Sequence, residues 1–582
     1  MAELYMSATL TQHGLPQRLA DFSTLSEALD YAAEGETGLN FYDGRCRLTA
    51  VVQYGALRRE ALKVAKRLHG LGLERGDRVA LIADTDLSFM EVFYGCQYGG
   101  FVPVPLPIPS GLGSHDIYVK KLKGLLKSCE ASVVFAPAEL VKFAKEAAEQ
   151  PMRFIGTAKE LSLRPLIAVE LAPSRADEVA YLQYTSGSTR FPRGVVVTQR
   201  AVMANLQGIT RDGLGVQPGD RCVSWLPFYH DMGLVGFVLG PMASQLSVDY
   251  LRTQDFAMRP RQWLSLISQN RGTISFAPPF GYDICTRRVR ESDMERFDLS
   301  SWRIAGIGAE PIRAEVLNRF AMQFERTGFD RKAFLPCYGL AESTLGVSFA
   351  RRDTGIQTDR INRWELEHHS QAIPFDGPDS NASSFVNCGA ALPGHTLEIR
   401  DDNGHALPER AIGRITLKGP SLMSGYFCDE ESTQAVMSPE GDWLDTGDLG
   451  YLSKGELYIT GRRKDLIIVR GRNIWPQDIE YLAECQPDIR PGDVIAFLIP
   501  GEEEPQVVVQ VQCRIMDLEQ REHFAQSLTK LINSEFGLTC RVELVPPHSL
   551  PRTSSGKPSR AEARKRFIQQ IEADCGLSLA AG

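Results

Sequence analysis

A chain of 582 residues is longer than one hydrophobic core supports, and its length predicts three or four structural units. Its formal net charge of −8, from 64 Lys and Arg against 72 Asp and Glu, argues against nucleic acid as a partner, because a phosphate backbone needs a basic face. The 12 cysteines include no Cys-x-x-Cys pair and no Cys/His group at zinc spacing, so neither a disulfide framework nor a zinc site is expected.

The chain starts Met-Ala-Glu-Leu-Tyr, without a basic stretch leading into an apolar run. A secretory signal is therefore not expected, and reduced thiols suit a cytoplasmic protein. Apolar residues recur at Leu57, Ala61, Val64, Leu68 and Leu71, predicting a helix that Gly70 and Gly72 stop. Residues 78–83 are a nearly unbroken apolar run after the Gly76-Asp77 turn, as in a strand covered on both faces. Residues 132–136, 179–184, 273–277 and 304–307 repeat that rhythm between helical patterns, which predicts an α/β region with parallel sheets. The most apolar stretch, 232–248, is interrupted by Gly, Pro, Ser and Gln, and suits a buried element better than a membrane span. From about residue 384, alternating strands and tight turns, Asn403-Gly404 among them, predict a small β-barrel near 384–464. Beyond 465, a strand at 506–511, a helix near 518–536, a strand at 541–545 and a basic tail predict a smaller α+β domain. The expected division is a large N-terminal domain, 1–464, and a C-terminal one, 465–582.

The richest chemical signal is the loop Tyr-Thr-Ser-Gly-Ser-Thr-Arg-Phe-Pro-Arg-Gly at 184–194, directly after an apolar strand. Gly187 lets backbone amides approach an anion, while Thr185, Ser186, Ser188 and Thr189 add hydroxyl donors, a pattern able to wrap a nucleotide triphosphate. The Walker pattern is absent, so this is not a P-loop NTPase.

Six further motifs follow in order: Trp225-Leu-Pro-Phe-Tyr-His-Asp-Met-Gly, Gly308-Ala-Glu-Pro, Tyr338-Gly-Leu-Ala-Glu342, Thr446-Gly-Asp-Leu-Gly, Gly461-Arg-Arg-Lys-Asp-Leu-Ile and Pro551-Arg-Thr-Ser-Ser-Gly-Lys557. Their order and spacing, over nearly the whole chain, resemble the adenylate-forming (ANL) superfamily. Gln183, His230-Asp-Met-Gly, Gly308-Ala-Glu-Pro and Gly471-Arg-Asn-Ile-Trp-Pro-Gln-Asp-Ile-Glu look most like its fatty acyl-AMP ligases. That family activates a fatty acid with ATP and Mg²⁺. It passes the acyl group to the phosphopantetheine thiol of an acyl carrier protein, or of a carrier domain in a polyketide or nonribosomal peptide synthase. Two alternatives stay open: a fatty acyl-CoA synthetase, and a non-catalytic homologue that binds acyl or nucleotide ligands.

The resemblance implies roles for particular residues. Adenylation brings a carboxylate against an anionic triphosphate, a repulsion of about 4 kcal/mol per charge pair at 4 Å near a surface, so cations must be placed with care. Lys557 is expected against the carboxylate and the α-phosphate. Glu342 is expected as the Mg²⁺ carboxylate. Asp448 and Arg462 are expected on the ribose, Gly308, Ala309, Glu310 and Pro311 on the adenine side, and Tyr338 with Gly339 along the nucleotide. His230 is expected beside the fatty carboxylate. Met232, Leu234, Val235, Phe237, Val238, Leu239 and Met242, with Pro278, Pro279 and Phe280, supply candidates for an alkyl tunnel. A hinge is expected at Lys464. The polar segment 351–384 is read as the ligase-specific insertion that restricts the swing of the small domain and so disfavours coenzyme A. Two departures stand out: Arg190 occupies the position of a usual Gly in the phosphate loop, and Arg193 that of a usual Lys.

Overall fold

The computed structural model describes residues 15–109, 115–185, 192–469, 471–500, 505–553 and 558–580. Its centre is a nine-stranded sheet. Six strands run parallel in the spatial order Phe334–Gly339, Ile304–Ile307, Ile274–Ala277, Arg221–Ser224, Ser247–Leu251 and Gly38–Tyr42. Antiparallel strands finish both edges, Gly346–Phe349 with Ala390–Ala391 on one side and Leu48–Gln53 on the other. A second, four-stranded parallel sheet takes Val102–Leu106, Arg78–Ile82, Ala131–Phe135 and Phe154–Gly156. These short strands are mostly apolar because helices cover them, among them Leu87–Gly99, against which packs Tyr54–Gly70, burying Leu57, Ala61, Val64 and Leu68. That helix ends where Gly72 turns left-handed at φ +78°, as the glycine pair predicts. The α/β reading holds.

The run 179–184 differs in one respect. Val179–Tyr184 pairs antiparallel with Gly194–Thr198, so its apolar character reports cover on both faces and not a parallel partner. In the chain, residues 186–191, outside the described residues, join these two strands. The stretch 232–248 is buried, and among the described residues no helix is long and apolar enough to cross a membrane.

The region expected as a small barrel contains a four-stranded antiparallel sheet in chain order, Thr396–Arg400, Gly413–Lys418, Leu444–Ser453 and Glu456–Arg462. Segment 351–384 holds the hairpin strands Thr358–Asn362 and Ala382–Val386, with the helix Arg363–His369 between them. Beyond it, Val494–Ile499, Gln506–Gln512 and Cys540–Val545 form a three-stranded sheet packed by Pro476–Glu484, Leu518–Phe536 and Arg560–Ala580. The helix Leu518–Phe536 starts on an Asp517 side-chain cap and stops at Gly537, φ +62°.

Side chains tie segment 351–384 to the C-terminal part. Glu367, 7% exposed, accepts from Arg472 Nη2 at 2.6 Å, and Arg472 Nη1 also donates to the Phe536 carbonyl at 2.8 Å. Arg363 pairs with Glu535, and Asn473 donates to the Ser370 hydroxyl at 3.3 Å. Ile361, Leu366 and Ala372 share a buried cluster with Trp475.

Candidate active site

A cavity of about 730 Å³ opens at the carboxyl ends of the strands Arg221–Ser224, Ile304–Ile307 and Phe334–Gly339. Such crevices are where open α/β sheets hold ligands. Thr185, His230, Gly308, Ala309, Tyr338, Gly339, Glu342, Asp448 and Arg462 all line it, although they span 278 positions of sequence from 185 to 462. Glu310 and Pro311 follow Ala309 but are not part of the lining. Ser186, Gly187, Ser188, Thr189, Arg190 and Lys557 lie outside the described residues.

Each wall residue is set by local backbone chemistry. The neck of the phosphate loop closes where Thr185 N–H donates to the Arg193 carbonyl at 3.0 Å and Arg193 N–H donates to Thr185 Oγ1 at 3.3 Å. The Arg193 guanidinium lies over the Tyr426 ring, 5.1 Å from its centroid, and 3.6 Å from Asp429. His230 caps the short helix Asp231–Leu234. Its Nδ1 accepts from Met232 N–H at 3.3 Å and lies 2.7 Å from an Asp231 carboxylate oxygen. Gln183, buried in the preceding hairpin, donates to the Tyr229 carbonyl at 2.8 Å and fixes the loop that carries His230. At the end of the strand Ile304–Ile307, a side chain on Gly308 would meet Cys337 at 3.0 Å, and Ala309 follows in the left-handed region at φ +68°.

The ribose-side candidates form one unit. Asp448 and Arg462 face each other across paired strands, and Arg462 Nε is 3.5 Å from Asp448 Oδ1. Tyr338 donates its hydroxyl to Asp448 Oδ2 at 2.7 Å. Burial, reinforced by the Asp448 charge, raises the Tyr338 pKa well above its ordinary value, so its hydroxyl remains a donor.

Glu342 accepts the Tyr426 hydroxyl at 2.8 Å, and its backbone carbonyl accepts Met423 N–H at 2.9 Å. Burial raises the Glu342 pKa, while the Tyr426 hydrogen bond and, more weakly, the Arg462 charge pull it down. One half-buried carboxylate beside the phosphate-loop neck fits Mg²⁺, which takes one or two protein oxygens and completes its shell with phosphates and water. Among the described residues no group of three or more His, Cys, Asp or Glu forms a closed metal cage. Lys464 also lines the cavity, and burial lowers its ammonium pKa.

The other arm of the cavity is apolar, lined by Ile209, Leu214, Val216, Phe237, Ile274, Phe276, Leu345 and Phe349. Two π-helical turns, Gly208–Gly213 and Val235–Leu239, form part of this wall. Thr210 in the first turn satisfies its hydroxyl internally, donating to the Leu206 carbonyl at 2.8 Å. Of the tunnel candidates, Met232 and Phe237 face the cavity; Leu234, Val235, Val238, Leu239 and Met242 are core, and Phe280 is 42% exposed. The sequence reading missed the contribution of residues 209–222 and of 345–349, as well as Tyr426.

Comparison with known proteins fits this geometry. The family model described as AMP-binding enzyme matches residues 40–427. A Caulobacter vibrioides protein with a provisional acyl-CoA synthetase name is 44% identical, the match covering 97% of this chain and 99% of that one. The medium-chain-fatty-acid–[acyl-carrier-protein] ligase JamA of Moorena producens is 32% identical, over 94% of this chain and 96% of its own. A solved structure from work on fatty acyl-adenylate ligases of E. coli and L. pneumophila superimposes with a TM-score of 0.92 at 54% identity, covering 96% of this chain and all of that one. With a nucleotide-type polar arm and an acyl-sized apolar arm meeting in one cavity, the chain belongs to the AMP-binding, adenylate-forming enzyme family, and within it resembles the fatty acyl-AMP ligases.

Proposed function

We propose that the protein is a ligase that condenses a medium- or long-chain fatty acid with ATP to fatty acyl-AMP and pyrophosphate, then delivers the acyl group to a carrier-protein phosphopantetheine thiol. The observation that carries this reading is the shared cavity: Glu342, His230 and the Asp448–Arg462–Tyr338 unit stand on the same void as the alkyl-lined arm. In the first step a carboxylate oxygen forms a bond to the α-phosphorus as the bond to the β-phosphate bridging oxygen breaks, releasing pyrophosphate. In the second the thiol sulfur bonds to the acyl carbonyl carbon, its proton leaves to solvent, and AMP departs.

The residues act mainly by placement and by charge. Asp448 accepts the ribose hydroxyls, and Arg462 braces the carboxylate. Glu342, braced by the Tyr426 hydroxyl, would hold Mg²⁺, which would supply positive charge to screen the triphosphate. His230 stands on the wall of the shared cavity, where an imidazole orients the carboxylate. Lys557 supplies the cation at the α-phosphate. A long chain in the apolar arm gains about 0.8 kcal/mol per buried methylene.

The choice of carrier protein over coenzyme A rests on the side-chain ties between segment 351–384 and the C-terminal part, which oppose its rotation. The Caulobacter relative favours the second reading, an acyl-CoA synthetase. Incubating the enzyme with ATP, Mg²⁺ and dodecanoate, and either coenzyme A or a holo carrier protein, separates the two. Acyl carrier protein with little acyl-CoA is expected; abundant acyl-CoA rejects the carrier-protein reading, and no fatty-acid-dependent pyrophosphate release rejects both.

A further inference from the structure

Glu342 is followed by an unusual piece of backbone. Thr344 adopts φ +66°, ψ −59°, and Leu345 N–H donates to the Ser343 carbonyl at 2.7 Å, which closes a three-residue γ-turn. This is the rare, strained form of that turn, and a β-branched residue is among the least tolerant of positive φ. Ser343 and Thr344 are both fully buried. Such a conformation persists only where surrounding groups over-determine it.

Those groups come from residues 419–427, backed by His395. Thr344 Oγ1 donates to the Ser421 carbonyl at 2.8 Å, and the Ser343 and Ser421 hydroxyls are 2.9 Å apart. His395 Nε2 lies 2.6 Å from Ser421 Oγ, and its Nδ1 lies 3.2 Å from the Pro393 carbonyl. A carbonyl only accepts, so Nδ1 carries the proton and Nε2 accepts from Ser421. The Ser421 proton is thereby committed, and Ser343 donates to Ser421. All three hydroxyl protons have one direction each. Burial lowers the His395 pKa and keeps Nε2 an acceptor.

The packing is specific to this arrangement. A side chain on Gly419 would come within 2.1 Å of the His395 ring, and one on Gly339 within 2.0 Å of the Leu345 carbonyl oxygen. The same segment holds Glu342 itself through Met423 and Tyr426, and pairs with the strand behind the phosphate loop, Ser424 N–H donating to Val196 and Phe427 N–H to Gly194.

We infer that His395 and Ser421 are positioning residues: they lock the strained turn after Glu342 and so aim its carboxylate at the Mg²⁺·ATP end of the cavity. This rests on the reading of Glu342 given above. Neither residue touches substrate.

Fatty-acid-dependent pyrophosphate release is titrated with Mg²⁺ in wild type, S421A, H395A and H395Q, and Mn²⁺ binding beside a non-hydrolysable ATP analogue is measured by electron paramagnetic resonance. In S421A and H395A, half-saturation in Mg²⁺ should rise about fivefold or more while the KM for dodecanoate changes less than about twofold, and the Mn²⁺ Kd should weaken in parallel. H395Q keeps an acceptor near the Nε2 position and should restore both. An unchanged metal dependence in folded S421A and H395A, even with a lowered melting temperature, overturns the inference. H395A leaves every buried hydroxyl in place and carries the test if S421A does not fold. A wild-type protein that releases no pyrophosphate sinks the proposed function instead, and the Mn²⁺ comparison still decides the role of the two residues.

Discussion

Glu367→Gln removes the charge through which segment 351–384 holds the C-terminal part. Glu367 Oε2 receives two donors from one guanidinium, Arg472 Nη2 at 2.6 Å and Nε at 3.2 Å. Unit charges about 3 Å apart attract by about 5 kcal/mol at an effective dielectric of about 20. Desolvating the carboxylate takes back roughly half of that, and the Arg472 side chain, 26% exposed, is partly screened by water. A coupling of about 2 kcal/mol remains, which is roughly a 30-fold change in the equilibrium that docks the two parts. The assay is a double-mutant cycle of Glu367→Gln and Arg472→Met, read by native-state hydrogen exchange in the strands Ile467–Val469 and Arg472–Ile474. The same variants should raise acyl-CoA output if docking opposes the swing. Opening energies that add within about 0.5 kcal/mol would refute the coupling.

Tyr426→Phe removes a hydrogen bond to a carboxylate, worth about 1.5–3 kcal/mol, and should raise the KM for Mg²⁺·ATP about tenfold. That bond lowers the Glu342 pKa, so its loss raises it further; more Glu342 is then protonated at a given pH, and the acid limb of the pH–rate profile should move to higher pH. If Asp448, with its Tyr338 and Arg462 contacts, holds the nucleotide as proposed, Asp448→Asn should weaken ATP by about 10-fold or more in steady-state kinetics and leave the dodecanoate KM unchanged. Lys557→Ala should abolish pyrophosphate release while equilibrium ATP binding survives. In the core, Asp249 is fully buried and accepts from Arg221 Nε and Nη2, both at 2.6 Å, and from Asn40 at 2.9 Å. Asp249→Asn leaves a buried guanidinium without its counter-charge and should cost about 3–5 kcal/mol in urea unfolding.

The polar half of the site was legible because its chemistry depends on residue types at fixed spacing. Tyr338, Glu342, Asp448 and Arg462 each lie within three residues of a glycine that marks the motif in the sequence, and all reach one cavity. The apolar half was hidden. Its wall draws on Ile209, Cys222, Ile274 and Phe349, single residues from separate elements that look like any other core positions. The sequence stretch nominated for the tunnel, 232–242, is apolar on several faces, so nothing in it marked Met232 and Phe237 as the named candidates that reach the cavity. Tyr426 escaped for a related reason: it reaches Glu342 from 84 residues away, and neither residue signals the other. The hairpin strand Val179–Tyr184 shows the limit of apolar runs, which report cover on two faces and say nothing of partner direction.

The wide turns in the alkyl wall open a route by which this pocket can diversify. Each winds an extra residue into its helix, so one residue can be lost from either by a return to about 3.6 per turn that leaves the direction of the following chain nearly unchanged. For Val235–Leu239 the strand Ser247–Leu251, inside the central sheet, would then keep its place while the wall narrows. Single-residue length changes are therefore tolerable here and would be costly in a regular helix. Adaptation to shorter or longer substrates can proceed by loss of a wide turn as well as by swapping bulk at positions such as Phe237 or Phe349, and relatives with different chain preferences should differ by single residues within these turns.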